Sequence, residues 1–123
     1  MSTIRIRIIL IASLFLLVII TGFVLRRIDK PYPALMLNVH KFLSLGALVL
    51  VIVTLSPLMD KSTLNLLDII VLSLTGLFYL GALISGGLMD YFDTVYKTLK
   101  ILHKISPVLV ISGLIYIFYR YLN

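Results

Sequence analysis

The chain has no cysteine and no glutamate, and charged residues fill only 13% of its 123 positions. Without cysteine there are no disulfides, thiolate-bound metals, iron–sulfur clusters or thiol nucleophiles. Without glutamate the acids reduce to Asp29, Asp60, Asp68, Asp90 and Asp93, scattered along the chain, so a zinc or copper site is poorly supplied with ligands. The shortage of charge goes with 61% hydrophobic residues, well above the roughly 45–50% of an ordinary globular domain. Water is not the solvent this composition suits. The formal net charge is +6, but the cations lie in short stretches between apolar runs and do not form a solvated basic patch. That pattern argues against nucleic acid as a partner and for a lipid bilayer, with the cations acting as topology signals and contacts to anionic lipid.

A spanning helix needs about 20 mainly apolar residues, and four runs are long enough: about 8–25, 34–56, 64–89 and 95–122. Pro31 and Pro33 follow the first, Ser56-Pro57 ends the second, and Gly86-Gly87 with Asp90 and Asp93 ends the third, all residues that interrupt helices. The connections are short, so successive helices are expected to pack antiparallel. The fold class is an all-α, integral membrane four-helix bundle of up-down-up-down order, one domain over 1–123, with little chain left for a soluble domain. Arg5 and Arg7 ahead of an apolar stretch resemble a signal peptide. That stretch is long, however, and ends in Arg26-Arg27, where a cleavage site would carry small residues, so it is expected to stay as a mature helix.

Orientation follows from the basic residues. The first and third loops with their flanks carry seven (Arg26, Arg27, Lys30, Lys41, Lys97, Lys100, Lys104), against four (Arg5, Arg7, Lys61, Arg120) for the N-terminus, second loop and C-terminus. This places loops one and three in the cytoplasm and both termini outside, in a prokaryotic plasma membrane. Tyr32, Tyr91, Phe92 and Tyr96 then belong to an inner interfacial belt, and Tyr116, Phe118, Tyr119 and Tyr121 to an outer one.

Only two histidines occur, both near the start of a span: His40 in Asn38-Val39-His40-Lys41 and His103 in Ile101-Leu102-His103-Lys104. Ionisable side chains within spans are costly and usually have a partner or a function. In the expected topology the second and fourth helices run in the same direction. At about 1.5 Å per residue, His40 lies roughly 9 Å past Ala34 and His103 roughly 12 Å past Val95. Two imidazoles at nearly equal depth on parallel helices suit haem b, which needs two axial ligands and whose flat apolar macrocycle fits between helices. Helix-to-helix hydrogen bonding by idle histidines is the plainer alternative.

Neighbouring residues extend both readings. Gly46 and Gly81, with Gly76, Gly86 and Gly87, offer positions where a macrocycle can approach the backbone, or ordinary small-residue packing. Lys41 and Lys104 are candidates to meet haem propionates, or they snorkel to lipid phosphates, the reading preferred for Lys97 and Lys100. Ser44 and Ser106 lie one turn beyond the histidines and are expected to bond backbone. Met36, one turn before His40, is a substitute ligand or a packing residue. Pro107, four residues after His103, frees the His103 carbonyl. Asp68, near Asn65 at the start of the third span, is a proton relay or a first-turn acid favoured by the helix dipole. The repeated His-Lys pair also suggests a duplicated hairpin.

On His40 and His103, and on its four-span architecture, the chain resembles the small membrane b-type cytochromes of the cytochrome b561-like group. That resemblance implies haem b held by bis-histidine ligation inside the bundle, and a haem-dependent oxidoreductase or electron carrier. Members usually carry more histidines and two haems. With two histidines, a single haem per chain is expected, with His40 and His103 on the iron. A lone haem near one face does not bridge an apolar slab of about 30 Å, so quinone, a redox partner or a second copy of the chain would be needed. The alternatives are a structural or assembly subunit of a membrane complex, and a small transporter or metal-binding protein.

Overall fold

The structure, a computed structural model, describes residues 3–28, 33–60, 64–88 and 96–122, apart from the side chains of Leu58, Tyr96, Tyr121 and Leu122. Met89, Val95, Pro31, the loop charges Asp29, Lys30, Lys61, Asp90 and Asp93, and the belt aromatics Tyr32, Tyr91 and Phe92 lie outside the described residues. Four helices account for nearly all of the rest: α1 Thr3–Arg27, α2 Ala34–Asp60, α3 Leu66–Leu88 and α4 Tyr96–Leu122. No strand occurs among the described residues. At about 1.5 Å per residue the helices are about 35–40 Å long, enough to cross a hydrocarbon core of about 30 Å, and all four are apolar enough to do so.

The helical state follows from the solvent this sequence suits. Backbone N–H and C=O groups in lipid must be satisfied within the segment. Hydroxyl side chains follow the same rule: Ser13, Thr54 and Ser112 donate to the carbonyls of Ile9, Leu50 and Val108, one turn earlier, at 2.8, 2.7 and 2.9 Å. α1 begins before the apolar run and includes Arg5 and Arg7, whose long stems let the guanidinium groups reach the interface while the backbone stays helical. α2 runs through Pro57 to Asp60. Proline removes one N–H and so one helical hydrogen bond, a loss that membrane helices tolerate, and the helix therefore does not stop at Ser56-Pro57.

The chain divides into two units, residues 1–61 and 62–123, and each is a helical hairpin. In the first, α1 contacts α2. Ala47, Val51, Thr54 and Leu55 form the buried stripe of α2, with Ile11 and Leu25 buried on α1. Continued one turn at a time toward the helix start, that stripe passes Ser44 and reaches His40, both half-buried.

In the second unit α3 contacts α4, and the register can be read from its pairs. Asp68 meets Arg120, Gly81 lies against Ser106, and Ala82 meets His103, so rising numbers on α3 face falling numbers on α4 and the helices are antiparallel. The buried face of α3 is polar-rich (Asp68, Thr75, Tyr79, Ser85), whereas that of α4 is mainly aliphatic (Val110, Leu114, Ile117) around Ser106. Large apolar side chains elsewhere point outward, among them Leu16, Phe42, Leu77 and Val108, as expected where the surrounding solvent is acyl chain.

At Gly113, α4 packs tightly against α3. A Cβ placed there would collide with the Thr75 hydroxyl and sit 3.1 Å from Thr75 Cβ and 3.3 Å from Cγ2. Small residues at such crossings let membrane helices approach closely. Gly113→Ala is therefore expected to destabilise the hairpin by about 1–3 kcal/mol, the usual range for overpacking, in a detergent unfolding titration. Thr75→Ala in the same chain should restore most of the loss. Unchanged stability of the single variant would rule out a tight crossing at Gly113.

The end of this hairpin that carries the start of α3 is closed by polar groups. Asn65 Oδ1 accepts the Asp68 N–H at 2.8 Å and Asp68 Oδ2 accepts the Asn65 N–H at 3.2 Å, a reciprocal cap of the helix start. The other carboxylate oxygen, Oδ1, accepts from Arg120 Nε at 3.1 Å and from the Tyr116 hydroxyl at 3.4 Å.

Candidate functional site

The two histidines occupy matching places, one in each hairpin. His40 is six residues into α2 and His103 seven residues into α4, roughly 9 and 10 Å along their helices. Each turns its ring toward the preceding helix of its own hairpin.

In the first hairpin, His40 Nδ1 is 2.8 Å from Thr21 Oγ1. The Thr21 hydroxyl is also 2.9 Å from the Leu17 carbonyl and 3.0 Å from that of Val18. A hydroxyl has one proton, and carbonyls can only accept. With that proton directed to the α1 backbone, Oγ1 accepts from His40 Nδ1–H. The ring lies over Gly22, where an added Cβ would be 3.0 Å from His40 Cε1.

In the second hairpin, His103 Nδ1 is 2.7 Å from the Ala82 carbonyl. The acceptor here is a carbonyl, so Nδ1 must carry the proton. Ser85 Oγ lies 3.3 Å from the same nitrogen and donates to the same carbonyl at 3.2 Å. The ring is pressed onto Gly86, where a Cβ would come within 2.8 Å of Cε1 and 3.2 Å of Nδ1, closer than such contacts can be. Gly86 therefore has to be glycine if the ring is to keep this position.

The resulting pattern repeats. A hydroxyl-glycine pair stands on the first helix of each hairpin, Thr21-Gly22 and Ser85-Gly86, and a His-Lys pair on the second, His40-Lys41 and His103-Lys104. A serine follows about one turn later: Ser44 Oγ donates to the His40 carbonyl at 2.8 Å and Ser106 Oγ to that of Leu102 at 2.7 Å. Thr21 and Gly22 escaped the sequence reading because a lone Thr-Gly inside an apolar run looks like packing. The available signal was the second copy, with the glycine eighteen residues before the histidine in one hairpin and seventeen in the other.

The chemical consequence lies in the tautomer. A neutral imidazole that donates from Nδ1 carries its lone pair on Nε2, and metal-bound histidines usually hold their ring in this way, with the second nitrogen donating to a carbonyl or similar acceptor. His103, whose Nδ1 faces a carbonyl, is held in this tautomer; the Thr21 hydroxyl beside His40 Nδ1 holds the same tautomer when its own proton is directed to the α1 backbone.

The other candidate residues are placed less closely. Lys41 is half-buried and Lys104 exposed. Lys104 borders an open, mainly apolar groove of about 470 Å³ along Ile101, Ile105 and Val108 of α4. A Cβ on Gly46, Gly76 or Gly87 would meet nothing within 4 Å, and one on Gly81 would lie 3.9 Å from Ser106 Oγ. The glycines in contact with the histidines are Gly22 and Gly86. Pro107 lies inside α4, so position 107 supplies no N–H to the His103 carbonyl. Asp68, in the first turn of α3, is fourteen residues from Ala82, roughly 21 Å along the helix, and thus remote from His103. Among the described residues no three or more histidine or acidic side chains gather in a way that could hold a metal ion.

No family model, curated protein or solved structure matches the chain.

Proposed function

We propose that the chain is an integral membrane haem b protein in which His40 and His103 are the two axial ligands of a single haem, serving one-electron transfer. The observation that supports this reading is the shared tether: each imidazole Nδ1 lies within hydrogen-bond distance of an oxygen on the preceding helix of its own hairpin, and an imidazole that donates from Nδ1 keeps its lone pair on Nε2, the nitrogen an iron ligand uses. This reading requires the two hairpins to pair as an up-down-up-down bundle with α2 and α4 parallel, each contributing one imidazole. When bound, haem b supplies a one-electron couple whose potential depends on its axial ligands and on burial.

The chain's own residues do the rest. Thr21 and the Ala82 carbonyl fix the ring orientations, Gly22 and Gly86 make room for them, and the apolar helix faces exclude water. Lys41 and Lys104 would offer counter-charges to haem propionates, and Gly46 and Gly81 would leave room for the macrocycle. Loops one and three face the cytoplasm of a prokaryotic plasma membrane, with both termini outside. A haem held by these residues would need membrane quinone, a redox partner or another copy of the chain with which to exchange electrons.

A second reading has its own support. The Thr21–His40 and Ala82–His103 hydrogen bonds tie helix to helix, which is what a structural or assembly subunit would require of its histidines.

The optical spectrum of the detergent-purified protein, expressed with ample haem, separates the two. A red preparation with a Soret band is the expected result. A colourless one overturns the haem reading and leaves the structural one.

A further inference from the structure

The two tethers stand at matching positions but are built differently. His103 is held by a backbone carbonyl at 2.7 Å, with the Ser85 hydroxyl a more distant neighbour at 3.3 Å. His40 is met by a side chain, the Thr21 hydroxyl at 2.8 Å, which stands in donor geometry to the Leu17 and Val18 carbonyls at 2.9 and 3.0 Å. A hydroxyl that donates onward becomes a better acceptor, because hydrogen bonds in a chain polarise one another. The path from His40 Nδ1 through Thr21 to the α1 backbone is such a chain.

We infer that Thr21 is the positioning residue that fixes the tautomer and electron donation of His40, whereas Ser85, its counterpart in the second hairpin, has no such hold on His103. The effect on ligand strength rests on the haem reading above; the effect on the tautomer does not. An Nδ1–H bond strengthens the donation of the imidazole to a metal, so its loss favours the reduced iron and raises the potential. In Thr21→Val the chain is broken at a side chain of nearly the same shape. No side-chain substitution removes the Ala82 carbonyl, and in Ser85→Ala that carbonyl still accepts from His103.

The test has two arms. In the haem-free protein in detergent, nitrogen NMR of the histidine rings should find both imidazoles protonated at Nδ1. Thr21→Val should shift His40 toward the Nε2-protonated form, Thr21→Ser should keep the original tautomer, and Ser85→Ala should leave His103 unchanged. In the haem-loaded protein, Thr21→Val should raise the midpoint potential, Thr21→Ser should restore it, and Ser85→Ala should leave it in place. Thr21→Ala repeats both arms if the valine variant does not fold, with helical circular dichroism as the check.

An unchanged His40 tautomer and potential in Thr21→Val overturns the inference. So does an equal shift of His103 in Ser85→Ala. A wild-type protein that takes up no haem overturns the haem reading together with any role of Thr21 in ligand strength, and the NMR arm still decides whether Thr21 fixes the ring.

Discussion

His103→Asn is expected to leave the α3/α4 hairpin folded and to abolish haem uptake. The asparagine Nδ2–H group stands close to where the imidazole Nδ1–H was, so it can still donate to the Ala82 carbonyl that His103 reaches at 2.7 Å. An amide nitrogen has no lone pair for iron, so the substitution separates tether from ligand, which alanine would remove together. Changes in the groups that hold a metal ligand typically cost 10–100-fold in affinity. Loss of the ligand itself should exceed about 100-fold, and haem titrated into the variant at micromolar protein should give no bis-histidine Soret band. Unfolding in detergent should change little, because the helix-to-helix hydrogen bond is kept. His40→Asn should behave alike, with Thr21 as the acceptor. A full Soret band in either variant would remove that histidine from the iron. A shifted, weaker band in His40→Asn that vanishes on adding Met36→Leu would identify Met36 as a substitute ligand.

How far the sequence alone leads depends on which forces act locally. The spans were legible because bilayer thickness and the need to satisfy the backbone depend only on run length and composition. Their ends were less so. Arg5 and Arg7 read as flanks but are helical, since an arginine stem can carry its charge out of the apolar zone. Pro57 reads as a stop but lies within α2, since one missing N–H does not end a helix held by its other bonds. The histidines stood out as the only two in the chain, and their partners did not. Thr21 and Ala82 are brought to them by the hairpin register, a tertiary property, and the Ala82 contact uses a backbone carbonyl to which no residue type gives a clue. Likewise Gly46 and Gly81 read as well as Gly22 and Gly86 do, because only packing tells which glycine faces a ring. Asp68 could be placed in a first helical turn from its nearness to Asn65, but its link to Arg120, fifty-two residues on, could not.

That link gives the largest expected change in stability. The Asp68 side chain is 2% exposed and that of Arg120 46% exposed, so the partners differ in what they can do when separated. In Asp68→Asn the amide offers one acceptor oxygen where the carboxylate used two, so it can keep the Asn65 cap or the contact to α4, and its NH2 then faces a donor. Arg120 can extend toward the interface, which limits the damage. In Arg120→Leu the carboxylate stays buried with the Tyr116 hydroxyl and the Asn65 N–H as its neighbours and has lost its countercharge, the situation that makes half of a buried pair so unfavourable. Arg120→Leu is therefore expected to lower the thermal midpoint in detergent most, more than Asp68→Asn and more than Gly113→Ala. The double variant Asp68→Asn with Arg120→Leu should recover most of that loss, because residues that act as a pair are not additive. Added salt should lower the wild-type midpoint only in part, since the Asp68 carboxylate is covered while Arg120 is half exposed, and partly buried pairs are screened less than exposed ones. Strictly additive losses in the double variant would show that Asp68 and Arg120 act independently. The carboxylate would then serve mainly as the cap of α3, and the closure of this end of the hairpin would rest on packing around Ile117 and Tyr116.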